Sequence, residues 1–163
     1  MKNIAIITGG DSDEYEISLK SAETVFKNID RSKFNPYIIE IKNNIWKLKI
    51  NNSYKVIDSG LKLTIDKEKI IFKDVFMALH GPPAENGELQ ILFEKQNINF
   101  TCCGSEISEL TFNKFKCNKV LKNLGFNIAK SILIKSENYT EEEILKQVNL
   151  PFIVKPNQAG SSN

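Results

Sequence analysis

The sequence has few of the residues that dominate metal-binding and disulfide-rich proteins. It contains one histidine and three cysteines in 163 residues. Cys102, Cys103 and Cys117 match neither the C-x-x-C spacing of metal sites nor the even count of a disulfide framework. We expect the adjacent pair, at the end of a strand, to be packing residues. The sequence therefore predicts no metal site within this chain.

Long apolar runs and a strong charge of one sign are also lacking. The opening stretch MKNIAIITGG turns polar after an apolar run that is too short to cross a membrane, and no signal-peptide cleavage site follows it. The formal net charge is only +2, and the lysines are scattered rather than grouped, so we expect no nucleic-acid partner. These absences favour a cytoplasmic globular protein without membrane association.

What the sequence does contain is an alternation of strand and helix patterns. Strands are predicted at residues 2–8, 37–41, 75–79 and 99–102, and helices are predicted from about residue 17 and over residues 88–96. Short alternating segments over residues 44–73 predict antiparallel hairpins at a sheet edge. Units in which a helix connects two strands favour a parallel sheet with right-handed crossovers, so the predicted fold class is α/β.

A second set of elements follows a boundary near residues 104–110. Helices are predicted over residues 111–124 and 140–148, and strands at residues 129–134 and 152–155. The later helix opens on the capping box of Thr140 and Glu143. We therefore predict one α/β domain over residues 1–104 and the first part of a second domain over residues 105–163.

Candidate site residues follow two of the predicted strands at the point where each strand ends. Glu14 lies in the polar loop after Gly9 and Gly10, and His80 follows the strand at residues 75–79. Open parallel sheets bind ligands at the carboxyl ends of their strands, so we expect both loops on one edge and Glu14 in position to hold a small cationic group. The G-x-G-x-x-G spacing of dinucleotide-binding proteins is absent. The two glycines are instead predicted to form a tight turn with positive φ.

A third candidate residue, Lys155, lies near the end of the sequence. It follows an apolar segment and is poorly placed for packing. Gly160, Ser161 and Ser162 come after it and offer backbone N–H groups to a phosphate. The GxxxxGK[ST] pattern is absent, which disfavours a P-loop kinase.

Four segments resemble, in order and spacing, those of the D-alanine–D-alanine ligases of the ATP-grasp superfamily. They are GGDSDEYEISLKSA, ALHGPPAENGELQ, TFNKFKCNKVL and PFIVKPNQAGSS, and the resemblance extends from Lys2 to Ser162. It implies that the chain is an N-terminal portion of such a ligase. The implied fold is a parallel-sheet, pre-ATP-grasp and Rossmann-like domain followed by an incomplete ATP-grasp domain.

The resemblance also implies roles for individual residues. Glu14 is expected to act in catalysis and to bind the first D-alanine near its amino group, while His80 is expected beside that substrate's carboxylate. Ser161 is expected to form a hydrogen bond with Glu14 and to help close the site, as a second catalytic residue. Lys114 and Lys155 are expected to bind the phosphates of ATP.

The implied reaction joins two D-alanines with ATP, through an acyl phosphate, for peptidoglycan synthesis. The resemblance implies Mg²⁺, with ligands outside these 163 residues, and a homodimer of the full-length protein. Other interpretations remain open. A ligase joining D-alanine to D-lactate shares these motifs, a Rossmann protein is disfavoured by the glycine spacing, and a truncated chain would bind or dimerise without catalysis. We expect the chain alone to be inactive.

Overall fold

The computed structural model of the chain describes residues 1–51, 53–65, 68–135 and 139–159. The strands in these ranges are β1 (Lys2–Gly9), β2 (Phe34–Lys42), β3 (Ile45–Ile50), β4 (Ser53–Ile57), β5 (Lys62–Ile65), β6 (Glu68–Ile71), β7 (Asp74–Met77) and β8 (Asn99–Phe100). The helices are α1 (Tyr15–Asn28), α2 (Glu88–Lys95), α3 (Ser105–Phe112), α4 (Lys114–Asn123) and α5 (Glu141–Leu145).

A mainly parallel sheet forms the centre of the molecule, in the order β4-β3-β2-β1-β7-β8. Strand β1 pairs in parallel with β2 and β7, and β7 pairs in parallel with β8. Strands β3 and β4 extend the sheet in antiparallel fashion beyond β2, and β5 and β6 form a separate antiparallel pair. The predicted α/β class and the predicted hairpins are both confirmed.

The central strand separates two layers of core packing, because successive side chains of a strand point to opposite faces. Ile6 packs with Ala22 of α1 on one face. Ile7 faces the other layer, which includes Trp46 and Phe93 of α2 with ring centroids 6.3 Å apart. All the residues from Ile4 to Ile7 are buried. A short β-branched strand buried on both faces is typical of parallel sheets.

The helix predicted over residues 111–124 is confirmed for most of its length, as α4, but its start and its continuity through Asn113 are wrong. The chain instead forms α3 and α4, separated at Asn113, whose backbone is extended at φ −90° and ψ 94°. The Asn113 side chain accepts a hydrogen bond from the backbone N–H of Lys116. Asn157 accepts one from Phe115. Contacts that cap a new helix start therefore outweigh the continuous amphipathic pattern.

The strands predicted at residues 129–134 and 152–155 are also wrong for the described structure. A strand is stable only when a neighbouring strand pairs with its backbone. Within the described ranges, no backbone hydrogen bond reaches either segment. Ile153 and Val154 are accordingly 80% and 76% exposed.

Other local predictions agree with the structure. The capping box of Thr140 and Glu143 is formed and opens α5, although the helix ends at Leu145 rather than at residue 148. Gly9 and Gly10 have φ values of 96° and 101°, as expected for the predicted turn.

Across the described residues, we find no helix with both the length and the apolar character needed to span a bilayer.

Candidate functional site

The loop that carries Glu14 is directed by the two glycines at the end of β1. A Cβ atom on Gly9 would collide with the carbonyl oxygen of Ile41 in β2. The N–H of Gly10 donates to that same oxygen at 2.8 Å. The turn is therefore pressed against β2, and the chain leaves β1 at the carboxyl edge of the sheet before it enters α1.

Glu14 and His80 lie on the same edge of the sheet, as predicted. The Ser18 hydroxyl accepts a hydrogen bond from the backbone N–H of His80 at 2.9 Å and donates to the carbonyl of Glu14 at 3.1 Å. The Ser12 hydroxyl accepts from the N–H of Glu14 at 3.2 Å and donates to the carbonyl of His80 at 3.3 Å. A Cβ built on Gly81 would lie 3.7 Å from Oε2 of Glu14. Two serine hydroxyls thus join the two loops.

The side chains of this pair differ in burial and in hydrogen bonding. The Glu14 residue is 7% exposed, whereas His80 is half-buried. The Nε2 atom of His80 lies 3.0 Å from the hydroxyl of Ser21 in α1. A largely buried carboxylate attracts a cation more strongly than a solvated one does, because the local dielectric is low. The edge therefore offers a carboxylate for a cationic group and, on the loop joined to it, an imidazole that can donate to an anionic one.

A second carboxylate anchors the start of α1 next to Glu14. The hydroxyl of Tyr15 donates to Oε1 of Glu40 at 2.9 Å, and Glu40 is 7% exposed. The Lys42 ammonium lies 3.9 Å from the centroid of the Tyr15 ring. Burial, together with the hydrogen bond to Glu40, raises the pKa of Tyr15 to about 12. The residue that follows Glu14 is thereby fixed to β2.

Lys114 is the first residue of α4. Residues 157–159, which lie much later in the chain, contact this end of the helix. The Asn157 carbonyl accepts from the N–H of Lys114 at 3.1 Å, and the Asn157 side chain accepts from the N–H of Phe115 at 2.9 Å. The Lys114 ammonium donates to the carbonyl of Ala159 at 2.9 Å. Because these first amides of α4 already have partners, an anion at this position would be bound by the ammonium rather than by the helix terminus.

A cavity of about 300 Å³ lies between Lys114 and the loop that follows His80. Its lining consists of Met77, Leu79, Ala84, Glu85, Gln90, Thr101, Cys102, Cys103, Ser108, Thr111, Phe112, Lys114 and Ala159. Cys102 and Cys103 are exposed, so the expectation that they are packing residues is wrong. The Cys102 thiol is nevertheless partly buried where the residue lines the cavity, and this burial raises its pKa above the ordinary value, which favours the unreactive protonated form.

For the two remaining predicted residues, the described structure gives no contact with the Glu14 and His80 pair. Lys155 is exposed, and Ser161 lies outside the described residues. Within the described part of the chain, no group of three or more His, Cys, Asp or Glu side chains could hold a metal ion.

Sequence reasoning did not identify Ser12 and Ser18, which connect the two loops, or Ser21, which contacts the His80 ring. Ser18 and Ser21 follow Glu14 by four and seven residues. This spacing places all three on one face of a helix. Small polar residues on the sheet-facing side of α1 were the feature of the sequence that could have indicated these contacts. The role of Asn157 had no such signal, because it depends on the return of a distant segment to α4.

The family profile described as "D-ala D-ala ligase N-terminus" matches residues 3–103. A curated protein named D-alanine--D-alanine ligase, from Parabacteroides distasonis, is 42% identical to this chain over 171 residues. That alignment covers 99% of this chain and 50% of the relative. The chain therefore spans about half the length of the curated relatives it matches.

Solved structures of ligases are also similar to this chain. The VanG D-Ala:D-Ser ligase of Enterococcus faecalis has a TM-score of 0.77 and 30% identity, and the match covers 99% of this chain and 53% of that one. A D-alanine--D-alanine ligase of Bacillus anthracis, complexed with ATP, has a TM-score of 0.72 and 26% identity, with 98% and 48% of the two chains covered.

Proposed function

This chain belongs to the D-alanine–D-alanine ligase family, and on that basis we propose that it supplies the first-substrate site and part of the ATP site of such a ligase. One observation carries the proposal. Ser12 and Ser18 join the backbones of Glu14 and His80 at the carboxyl edge of the sheet. An anionic side chain and an imidazole carried by two joined loops would suit the two charged ends of a small zwitterion.

The proposed substrate is D-alanine, with its ammonium group near the Glu14 carboxylate and its carboxylate near His80. Glycine at position 81 keeps this edge open, since a Cβ there would collide with the Ser12 side chain and approach Glu14. Ser161 is proposed to complete the site through a hydrogen bond with Glu14. In this arrangement the chain holds the first substrate by both of its charged ends, which orients the carboxylate for reaction.

Lys114 and Lys155 are proposed to bind the phosphates of ATP. Lys114 fits this role because its ammonium lines the cavity while the amides at the start of α4 are already bonded. ATP, when bound, would supply the phosphoryl group that activates the D-alanine carboxylate as an acyl phosphate. The described residues do not fit a magnesium site, so we assign no step to Mg²⁺.

The division into domains at residue 104 is part of the same proposal. The family profile ends at residue 103, one residue before Gly104, which precedes α3. Membership of the family also supports a cytoplasmic location, a place in peptidoglycan synthesis and a homodimeric full-length protein.

The proposal is tested in a fusion enzyme, in which residues 1–163 are joined to the remaining half of the Parabacteroides distasonis relative. We expect this fusion to release ADP when D-alanine is added. Glu14→Gln removes the charge that binds the ammonium group, so KM for the first D-alanine should rise by about 30-fold or more.

The control variant is Glu16→Gln, which removes a neighbouring exposed carboxylate in the first turn of α1. Its KM should change by about twofold or less, as for other surface substitutions. Equal effects of the two variants would contradict the proposed role of Glu14.

The two lysines are tested in the same fusion. Lys114→Ala and Lys155→Ala should each raise KM for ATP, because each change removes a charge that faces phosphate. Lys155→Arg should restore binding only in part, since a planar guanidinium replaces a compact ammonium. Lys116→Ala is the control, because Lys116 is exposed and its ammonium lies 3.4 Å from Glu109. An unchanged KM in Lys114→Ala would show that its assignment is wrong.

A further inference from the structure

The imidazole of His80 is held from one side by a hydroxyl of α1. The Oγ atom of Ser21 lies 3.0 Å from Nε2, and both residues are half-buried. In neutral imidazole one ring nitrogen is a donor and the other is an acceptor, and the hydrogen bond at one nitrogen sets the state of the other. The direction of this single bond therefore decides which nitrogen of His80 carries the proton.

Neighbouring hydroxyls in α1 show which direction is favoured. Ser18 donates to the carbonyl of Glu14 at 3.1 Å, and Thr24 donates to the carbonyl of Lys20 at 2.9 Å. Donation to the carbonyl four residues earlier is the usual bond of a helical hydroxyl. Ser21 departs from this pattern, since among the described residues its hydroxyl is bonded only to His80. The hydrogen that its neighbours give to the helix backbone is free for Nε2.

We infer that Ser21 is a positioning residue that donates to Nε2 of His80 and holds the neutral ring as the Nδ1–H tautomer. Within the described chain, Nδ1 makes no hydrogen bond, so its N–H is available to a ligand. A carboxylate only accepts hydrogen bonds, and this tautomer presents it with a donor. The opposite tautomer would present a lone pair. The consequence for D-alanine binding rests on the proposed function, whereas the tautomer itself does not.

The tautomer can be measured directly, because the chain contains one histidine. Labelling of the 163-residue protein with ¹⁵N-histidine gives the two ring nitrogens of His80 without overlap. Long-range ¹H–¹⁵N spectra are recorded at the alkaline end of the ring's own titration. We expect the wild-type spectrum to show a protonated Nδ1 and an unprotonated Nε2. A protonated Nε2 in the wild type would overturn the inference, whatever the variants show.

Substitutions then test whether Ser21 is the cause. Ser21→Ala should lose Nδ1–H as the dominant form, and Ser21→Thr, which keeps the hydroxyl, should retain it. Thr24→Ala removes an exposed hydroxyl on the same helix and should leave the spectrum unchanged. Persistence of the wild-type pattern in a folded Ser21→Ala protein would exclude Ser21 as the determinant. If Ser21→Ala does not fold, a change of tautomer in Ser21→Thr would exclude it equally.

Kinetics of the fusion enzyme separate this inference from the proposed function. Ser21→Ala should raise KM for the first D-alanine by about tenfold, the size of one hydrogen bond to a charged group, with a smaller change in kcat. An unchanged KM in an active fusion would contradict the role of Ser21 in substrate binding. A fusion without D-alanine-dependent turnover would contradict the proposed function, while the tautomer measured in the 163-residue chain would still stand.

Discussion

Single residues around Glu40 determine how firmly the loop of Glu14 is attached to the sheet. The Glu40 carboxylate is buried in β2 and accepts a hydrogen bond from Tyr15, the residue after Glu14. Burial raises the pKa of Tyr54 in β4 as well, and the charge of Glu40 adds to that shift. One carboxylate therefore stabilises the protonated form of tyrosines from two different elements.

This arrangement predicts a loss of stability at alkaline pH. The folded protein holds the Tyr15 proton up to a pKa of about 12, whereas the unfolded chain releases it near the ordinary value of 10.0. The unfolded state therefore binds fewer protons between these values, and the free energy of unfolding falls as pH rises through them. Urea unfolding across this range should show a shallower fall for Tyr15→Phe than for the wild type.

The control for this experiment is Tyr139→Phe, because Tyr139 is 39% exposed. It should keep the full alkaline slope of the wild type. Tyr54 retains its own raised pKa in both variants, so part of the slope should remain in Tyr15→Phe. A Tyr15→Phe protein with the wild-type slope would show that the hydrogen bond to Glu40 does not hold the proton as described.

At the level of elements, the junction of β1 and α1 depends on two adjacent glycines that differ in their surroundings. Both have positive φ. The Cβ of Gly9→Ala would meet the backbone carbonyl of Ile41, which cannot move without distorting β2. The Cβ of Gly10→Ala would lie 3.0 Å from the Leu79 side chain and 3.0 Å from the Pro82 carbonyl, so its overlap is smaller than the one at Gly9.

We expect Gly10→Ala to lower the free energy of unfolding by about 1–2 kcal/mol, the cost of left-handed backbone in a residue with a Cβ. Gly9→Ala should cost a further ~1–3 kcal/mol, because it also overpacks the sheet. The single tryptophan, Trp46, is 4% exposed in the core and reports unfolding by fluorescence. Equal costs for the two variants would show that contact with Ile41 does not restrict this turn.

Elements that are determined by residues close together in the sequence could be predicted from it. The buried run at residues 2–8, the glycine turn after it and the capping box at Thr140 depend on neighbouring residues, and all are present. The edge shared by Glu14 and His80 followed from the rule that parallel strands end at the same side of a sheet.

The elements that could not be predicted depend on distant partners. The break at Asn113 requires Asn157, which is 44 residues away in the chain. The segments at 129–134 and 152–155 have the pattern of strands, but the described residues provide no strand to pair with them. The serines that join Glu14 to His80 and the bond of Ser21 to the imidazole likewise arise from tertiary contact.

For the molecule as a whole, the question is how much of the proposed reaction these 163 residues can perform. The chain matches about half of the length of its relatives. Its described residues provide the Glu14 and His80 pair and the ammonium groups of Lys114 and Lys155, but no cluster that could hold a metal ion. Phosphoryl transfer depends on positioning and on compensation of charge around the phosphates.

We therefore expect no D-alanine-dependent release of ADP from the 163-residue chain in the presence of ATP, Mg²⁺ and D-alanine. Removal of even one electrostatic partner of a transition state costs about 10²–10³ in rate, and the described residues provide no cluster to hold the metal ion that would compensate the phosphate charge. The fusion with the Parabacteroides distasonis half should release ADP under the same conditions, and Glu14→Gln in that fusion is the control for a contaminating ligase. Turnover by the chain alone that requires D-alanine and is lost in its own Glu14→Gln variant would show that these residues already form a complete site.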